Sequence, residues 1–364
     1  MLERRKQEQG FFVYLRPFRD KTISLLGLNY KHIADACVRT WELAPAQSKS
    51  ASPALYDPAE LNHVLGTWSG TTIADEMHKL ITPVQHHAAT RAFLLKDLDV
   101  VDGYIYGHRW KSRLLPVGPP IWASAPEARI PHGSLACSWA GNVYFGHWVT
   151  DDLSLYLAAA ELCTPFTMER RPYLHEPQYR ELLQIPNPAL RRAHVDEMIV
   201  LEDIGQNDHK RRRQELLRSR LRSHLRKPGS EYVFVRRGAS GEARELVNSS
   251  EVESFLSSQG FAILDPEALQ PLDIAAQLLD ARVVVGVEGS QLVHALLTMA
   301  PGGILCCIQP PWRFNNIHRG HTECLNMRYA TLLGRPCEGG GFSVEIDGLK
   351  RLLNKMDEAL SVAA

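Results

Sequence analysis

Two polar side chains in the first half of the sequence have the spacing of a proton-transferring pair. In the segment GNVYFGHWVTDDL, His147 and Asp151 are four residues apart, which places them on one face if the segment is helical. A histidine or a carboxylate at a helix start that faces a cleft can take a proton from a hydroxyl group. A helix-start acid favoured by the helix dipole, beside a hydrogen-bonded histidine, explains the same residues without catalysis.

A glycine-rich turn in the second half has the form of an anion site. In the segment VVVGVEGSQLVHALL, three valines enter the turn and an amphipathic run leaves it. Free backbone N–H groups at a helix start suit a diphosphate, and glycines let a ligand approach the backbone. The carboxylate of Glu288 cannot bind phosphate, but it can accept hydrogen bonds from hydroxyls or orient an arginine. A tight turn that needs Gly286 and Gly289 is the alternative without a ligand.

Arginines follow another buried strand of the second half. In the segment VFVRRGASGEARELVN, Arg236 and Arg237 come directly after the apolar run, and Arg244 and Asn248 lie at the next helix start. Guanidinium groups match phosphate oxygens with two parallel hydrogen bonds. Alternation along a strand sends Arg236 and Arg237 to opposite faces, so we do not expect every arginine to reach one ligand. The set fits a nucleotide diphosphate with a ribose or sugar hydroxyl.

A further loop, QPPWRFNNIHRGH, follows a strand of the second half. Trp312 or Phe314 could stack on a base or a sugar ring, and Arg313 could reach a phosphate. A structural aromatic anchor explains the loop equally well.

The elements that must position these residues differ between the two halves. From residue 230 onward, strands alternate with helices and the strands are almost continuously apolar, which predicts a parallel sheet covered on both faces. Ligands bind beyond the carboxyl ends of such strands. Neither G-x-G-x-x-G nor a Walker sequence is present. Residues 90–116 alternate apolar and polar side chains around Asp102-Gly103 and Gly107, which favours strands and hairpins.

Length and composition exclude several classes of protein. The 364 residues suffice for two domains. The 41 basic and 41 acidic residues give no sign of a nucleic-acid binder. The seven cysteines contain no C-x-x-C pair, which predicts reduced thiols in a cytosolic protein. No stretch approaches the length of a membrane-spanning run, so we expect a cytoplasmic protein that touches a membrane at most from the inner face.

The segment 209–227 carries most of the uneven charge. Its nine basic residues and one acid surround Leu217, Leu221 and Leu225, a stripe at helical spacing. We interpret the segment as a solvated helix that packs its leucines on the core. A basic amphipathic helix that lies on anionic lipid is the alternative.

Taken together and in order, these motifs resemble glycosyltransferase family 61 over residues 135–335. The first segment of that family, N-x-x-x-H-W-x-x-D, reads NVYFGHWVTD here, with one extra residue between Asn142 and His147. Its later motifs, an arginine pair after a strand, R-x-x-x-N, and G-x-H-G-[AS]-x-L, read VFVRR, RELVN and GVEGSQL. The chain departs from the family at Glu288, where the family usually has His, and at Ser249, where it usually has Glu.

The resemblance implies an α/β fold of GT-B type, with two Rossmann-like lobes facing a cleft. The lobes would span residues 1–228 on the acceptor side and 229–342 on the donor side, and a C-terminal helix over 343–364 would return to the first lobe. The implied activity is an inverting, metal-independent transfer of a sugar from a nucleotide-sugar, usually a UDP-sugar, with no cofactor. We expect a bacterial enzyme of surface or capsular polysaccharide biosynthesis, with a glycan or lipid-linked glycan as acceptor.

The resemblance also assigns roles to individual residues. Asp151 would be the catalytic base, with His147 positioning the acceptor or sharing that role. The donor-binding candidates are Arg236, Arg237, Arg244, Asn248, Glu288, Gly289, Ser290 and Gln291. No metal ligand is expected, because the acid pair Asp97–Asp99 in the sequence DLD is a pattern that arises easily by chance.

Three other functions stay open. A non-catalytic nucleotide-sugar binding protein of the same fold would explain the change at Glu288. A Rossmann oxidoreductase or epimerase that uses NAD is disfavoured, because the chain lacks G-x-G-x-x-G and a Tyr-x-x-x-Lys pair. A nucleic-acid binder would rest on residues 209–227 alone.

Overall fold

The computed structural model of the protein describes residue 22 and residues 30–108, 110–118, 124–238 and 241–362. Among these residues, no helix combines the length and the apolar character needed to cross a membrane. The strands are β1 (Arg39–Ala44), β2 (Gln47–Ser50), β3 (Val84–His87), β4 (Thr90–Val101), β5 (Tyr104–Tyr106), β6 (Lys111–Arg113), β7 (Ala128–Leu135), β8 (Pro165–Met168), β9 (Ala189–Leu190), β10 (Arg192–Glu202), β11 (Tyr232–Val235), β12 (Ala262–Leu264), β13 (Val283–Val287), β14 (Ile304–Gln309), β15 (Arg328–Leu333), β16 (Arg335–Pro336) and β17 (Phe342–Ser343).

The helices are named by their bounds. The α-helices are Ile33–Ala36, Ile73–Ile81, Trp139–Val143, Phe145–His147, Leu153–Leu162, Glu176–Leu182, Asp208–Arg222, Ser249–Ser258, Pro271–Leu278, Val293–Thr298, Ile317–Cys324 and Ile346–Ser361. Pro58–His63, Pro266–Ala268 and Ser290–Leu292 are 3-10 turns, and Trp148–Asp152 is a π-helical turn.

The first sheet is mixed. Its order is β6-β5-β4-β10-β7-β8-β9, and β1 also pairs with β4. Strand β4 is antiparallel to β1, β5 and β10, whereas β7 runs parallel to β10. The turn at Asp102-Gly103, where both residues have positive φ, confirms the predicted hairpin. The prediction that the first lobe is Rossmann-like was therefore wrong. Hairpin connections reverse the chain where a Rossmann fold would cross over by a helix.

The second sheet is the predicted parallel one. Its five strands have the order β12-β11-β13-β14-β15, and every neighbouring pair is parallel. Strands β13 and β14 are buried at every position, as their continuous apolar runs indicated. The strand order reverses between β11 and β13. In an open α/β sheet the crevice at the carboxyl ends of such strands is the usual place for a ligand.

The C-terminal helix Ile346–Ser361 covers the second sheet. Leu349, Leu352 and Met356 are buried in the same cluster as Val283 and Val285 of β13. A link to the first half exists, because the Lys355 ammonium donates to the carbonyl of Tyr56 at 3.1 Å. The apolar stripe of the helix packs on the nearer parallel sheet, and the expected return to the first lobe stays a prediction.

Part of the N-terminal half also lies against the second sheet. Leu55 forms a bridge with Ala330 of β15, and the backbone N–H of Asn316 donates to Glu76 at 2.7 Å. The boundary between residues 228 and 229 stays a prediction.

The basic segment forms the helix Asp208–Arg222, and much of its charge is internal. Leu217 and Leu221 are fully buried, which confirms two leucines of the stripe, whereas Leu225 lies beyond the end of the helix. Arg213 makes two hydrogen bonds of 2.8 Å to the carboxylate of Asp203 and a third to the carbonyl of Ser154. Both members of this pair are almost completely buried.

Removal of Arg213 should destabilise the protein strongly. The Arg213→Met variant leaves the Asp203 carboxylate buried and without its cation, and breaking a buried pair in this way costs about 3–5 kcal/mol. The exposed neighbour Arg212 provides the matched control, and Arg212→Met should change the free energy of unfolding by less than about 0.5 kcal/mol. Urea unfolding of both variants measures the difference, and equal midpoints would contradict the assignment.

Candidate functional site

The turn after β13 has a conformation that glycine alone fits. Gly289 has φ 155°, and a Cβ at this position would overlap the guanidinium of Arg237. The 3-10 turn Ser290–Leu292 and the helix Val293–Thr298 follow directly. The turn therefore brings arginine side chains into van der Waals contact with the backbone at the strand-order reversal.

Three arginines converge on Glu288, and we call Arg237, Arg244 and Arg313 the arginine cluster. Arg244 Nη1 lies 2.9 Å from Glu288 Oε2 and donates to the Glu288 carbonyl at 2.9 Å. Arg237 Nη1 donates to the same carbonyl and to Gln291 Oε1, both at 3.2 Å. Arg313 Nε lies 3.6 Å from Glu288 Oε2. Glu288 thus holds the arginines in place.

The arginine cluster carries more positive than negative charge. Burial and the charge of Arg244 lower the pKa of Arg237 to about 10, and burial lowers the pKa of Arg244. Glu288 is 4% exposed, and the Nε groups of Arg244 and Arg313 are buried without a hydrogen-bond partner among the described residues. Glu242 also pairs with Arg313 at 2.7 Å, so three guanidinium groups face two carboxylates and the net charge stays positive. Unpaired guanidinium N–H groups in such a cluster form a site for an anion with several oxygens.

Two predicted donor-binding residues lie elsewhere. Arg236 makes hydrogen bonds of 2.9 and 2.6 Å to Glu253 and is exposed, as alternation along β11 requires. Asn248 ties the start of helix Ser249–Ser258 to the chain after β17, donating to the Val344 carbonyl at 2.9 Å and accepting from its N–H at 3.2 Å. The structure does not bring either residue into the arginine cluster.

His147 and Asp151 are hydrogen-bonded, as their spacing predicted. His147 Nδ1 lies 2.8 Å from Asp151 Oδ2, and Lys210 Nζ lies 2.6 Å from Asp151 Oδ1. Burial by itself would raise the pKa of Asp151, but the Lys210 charge and the His147 hydrogen bond outweigh it and lower the pKa. A carboxylate of lowered pKa is a weak base. It is well suited to fix the imidazole tautomer, which leaves Nε2 as a proton acceptor on a side chain that is 32% exposed.

The dyad of His147 and Asp151 adjoins the glycine-rich turn. A Cβ on Gly146 would lie 3.1 Å from Ser290 Oγ, so the helix Phe145–His147 packs directly on the turn. His318 joins them from the helix Ile317–Cys324, since it has a hydrogen bond to the Gly289 backbone and its charged form would be repelled by His147 and Arg244. Burial lowers the pKa of His318 to about 4, which keeps it neutral at neutral pH.

Several residues of the site escaped prediction from the sequence. The sequence places Lys210 in a basic helix, and it gives His318 and His321 no signal beyond their place in the loop QPPWRFNNIHRGH. Of the aromatic candidates in that loop, Phe314 is fully buried and is a structural anchor, whereas Trp312 is 38% exposed. The described residues contain no group of three or more His, Cys, Asp or Glu side chains arranged to hold a metal ion.

Asp152, next to Asp151, is a buried carboxyl with the opposite pKa shift. It accepts hydrogen bonds from the Ser138 backbone N–H at 3.1 Å and from the Ser138 hydroxyl at 2.7 Å. Burial outweighs these bonds and raises its pKa from 3.8 to about 7. It lines a small polar cavity together with Arg170 and Glu176.

The two neighbouring carboxyls should give opposite pH dependence of stability. Asp152 contributes stability that is fully present below about pH 4 and is lost as the pH rises through about 7, by at most about 1.4 kcal/mol per pH unit. Asp151 has a lowered pKa, so its contribution is present above about pH 4 and is lost as the pH falls further.

Urea unfolding of Asp152→Asn and Asp151→Asn between pH 3 and 8 measures the two contributions. The first variant should lose the decline toward neutral pH, and the second should lose part of the decline in acid. Identical pH profiles for both variants would contradict the assigned shifts.

Comparison with known proteins supports the interpretation of the motifs. Residues 145–306 match the model of the family Glycosyltransferase 61. No protein of curated function matches the sequence. A solved structure with some similarity is the metal-soaked Flv1 flavodiiron core from Synechocystis sp. PCC6803, at 11% identity over 54% of this chain and 55% of that chain, with a TM-score of 0.26. That score is too low to carry an argument. The match to the family indicates a glycosyltransferase domain over residues 145–306.

Proposed function

We propose that the protein is an inverting, metal-independent glycosyltransferase that moves a sugar from a UDP-sugar to a hydroxyl of a glycan acceptor. The observation that carries the proposal is the arginine cluster at the strand-order reversal, directly beside the dyad of His147 and Asp151. Displacement at an anomeric carbon needs a proton acceptor on one side and stabilisation of a departing anion on the other. The two groups supply these two functions.

On the donor side, the arginine cluster would bind the diphosphate. The unpaired Nε groups of Arg244 and Arg313 offer hydrogen bonds to phosphate oxygens, and Arg237 adds charge. Ser290 and the backbone of Gly289 lie at the following turn, where N–H groups favour anions. These guanidinium groups supply the positive charge that a divalent metal supplies in other transferases, which is why we propose transfer without a metal.

On the acceptor side, we assign the base role to His147 and the orienting role to Asp151. The acceptor oxygen attacks the anomeric carbon from the face opposite the diphosphate, and the bond between that carbon and the diphosphate oxygen breaks. The acceptor proton passes to His147 Nε2, and the negative charge of the leaving UDP is stabilised by the arginine cluster. Lys210 keeps Asp151 ionised, so the Nδ1–H of His147 stays hydrogen-bonded throughout.

The proposal also includes a cellular compartment and a biosynthetic pathway. The seven cysteines are free, which is consistent with a reducing cytoplasm, and a bacterial surface or capsular polysaccharide with a glycan or lipid-linked acceptor fits the resembled family. Fewer basic side chains of residues 209–227 are available for contact with a membrane than the sequence suggested. In this segment Lys210, Arg213 and Arg218 are buried and Arg212, Arg226 and Lys227 are exposed.

A non-catalytic nucleotide-sugar binding protein is the second candidate, and Glu288 is the observation that favours it. Its carboxylate lies among the arginines, 2.9 Å from Arg244, and offsets part of their charge. Such a protein would bind UDP without releasing it from UDP-sugars, so measurement of turnover separates the two candidates.

Arg244 and Arg236, two arginines of the segment after β11, provide a matched test of the donor site. Arg244→Met removes a charged hydrogen-bond donor and should weaken UDP binding by about 10- to 100-fold. Arg236→Met removes an arginine that is paired with Glu253 and should change UDP affinity by less than about twofold. Calorimetric titration with UDP in EDTA measures both variants. Equal losses, or UDP binding that requires a metal, would contradict the donor site.

The base assignment is tested by turnover. His147→Gln should lower UDP release by about 10²–10⁴-fold, and Asp151→Asn should also lower it, because an amide no longer fixes the tautomer. UDP affinity should stay within about twofold in both variants. The assay follows UDP release from UDP-glucose, UDP-galactose and UDP-N-acetylglucosamine in EDTA, with His132→Gln, an exposed histidine of the first sheet, as control. Full activity of His147→Gln would refute the assignment, and binding without release by the wild type would favour the second candidate.

A further inference from the structure

Two large aromatic side chains beside His147 are exposed to solvent. Trp139 is 40% exposed and Tyr144 is 49% exposed. Their ring centroids are 6.1 Å apart with an interplanar angle of 77°, and the Tyr144 ring lies 6.0 Å from the His147 ring. We call Trp139 and Tyr144 the aromatic platform.

The exposure of the aromatic platform is unusual for this chain. Phe145 and Trp148, its neighbours in sequence, turn inward and stack on each other at 5.9 Å. In the part of the chain that the structure describes, the exposed Phe, Tyr and Trp side chains number three: Trp139, Tyr144 and Trp312. Each adjoins the candidate site, since Trp312 precedes Arg313 of the arginine cluster. Exposed apolar area of this kind, next to a site, commonly serves binding.

The geometry of the aromatic platform suits a sugar ring. The two rings meet edge to face and form a corner. A ligand in this corner could pack on the face of one ring and be bounded on one side by the other ring. A pyranose has an apolar C–H face that can pack on an aromatic ring and hydroxyls at its rim that can bond the Tyr144 hydroxyl. A lipid chain would leave that hydroxyl unpaired, so the corner favours a carbohydrate.

We propose that the aromatic platform is the acceptor subsite and binds a terminal pyranose of a glycan, with one of its hydroxyls directed at His147 Nε2. This inference rests on the proposed function and adds the side chains that recognise the acceptor and the ring that they bind. In this proposal Trp139 and Tyr144 contact the acceptor ring and recognise it. The arginine cluster binds the donor.

Saturation-transfer NMR with methyl pyranosides tests the aromatic platform. The probes are the methyl glycosides of glucose, galactose, mannose, rhamnose and N-acetylglucosamine, each added to the wild-type protein with UDP present. At least one should receive saturation at the protons of one C–H face. Tyr144→Ala and Trp139→Ala should weaken its affinity by about tenfold, whereas Tyr144→Phe, which keeps the ring, should retain most of it.

Two controls separate this inference from the proposed function. Leu174→Ala removes an exposed apolar side chain that is 75% exposed and should leave glycoside binding unchanged. UDP titration of the platform variants should match that of the wild type, which also shows that they are folded. Glycoside binding that depends on Tyr144 and Trp139 supports the aromatic platform even if UDP fails to bind. No binding of any glycoside, or equal binding by wild type and Tyr144→Ala, overturns it.

Discussion

The contact between two guanidinium groups and the carbonyl of Glu288 organises the site. Arg237 reaches this carbonyl from the residues after β11, and Arg244 reaches it from the loop before the helix Ser249–Ser258. The contact is possible because Gly289 has no side chain to occupy the same space. It fixes two positive charges at the reversal of strand order, where the parallel sheet opens a crevice. Gln291 joins the contact through Arg237, and Arg313 approaches the side chain of Glu288.

Glu288 is best understood through its arginines. A lone carboxylate at a phosphate-binding turn would repel the ligand, but the three guanidinium groups outnumber the carboxylates of Glu288 and Glu242 and leave the region positive. The carboxylate also accepts a hydrogen bond from Asn315 at 3.3 Å, which connects the turn to the loop before the helix Ile317–Cys324. A buried acid that orients arginines costs part of their charge and holds them in one geometry. The net charge around the departing diphosphate decides between the two functions. A more positive site favours sugar transfer, and a less positive one favours binding alone.

The basic helix Asp208–Arg222 connects the dyad with the element that follows the turn. Lys210 holds Asp151, and Arg218 donates to the carbonyls of Leu296 and Met299 at the end of the helix Val293–Thr298. Cations at a helix carboxyl end are stabilised by the helix dipole. A run of charge that looks like a solvated or membrane-binding surface in the sequence is therefore in large part a set of internal partners.

The sequence by itself determined the elements whose signal is local. Continuous apolar runs specify the buried parallel strands, because such a strand is covered on both faces. The four-residue spacing placed His147 and Asp151 in contact, and strand alternation separated Arg236 from Arg237. The tertiary structure decided what depends on partners distant in the chain. Lys210 reaches Asp151 across 59 residues, Arg313 approaches Glu288, and the C-terminal helix covers the second sheet. A side chain of one type has the same local pattern whether it faces water or a buried carboxylate, so only packing could assign these roles.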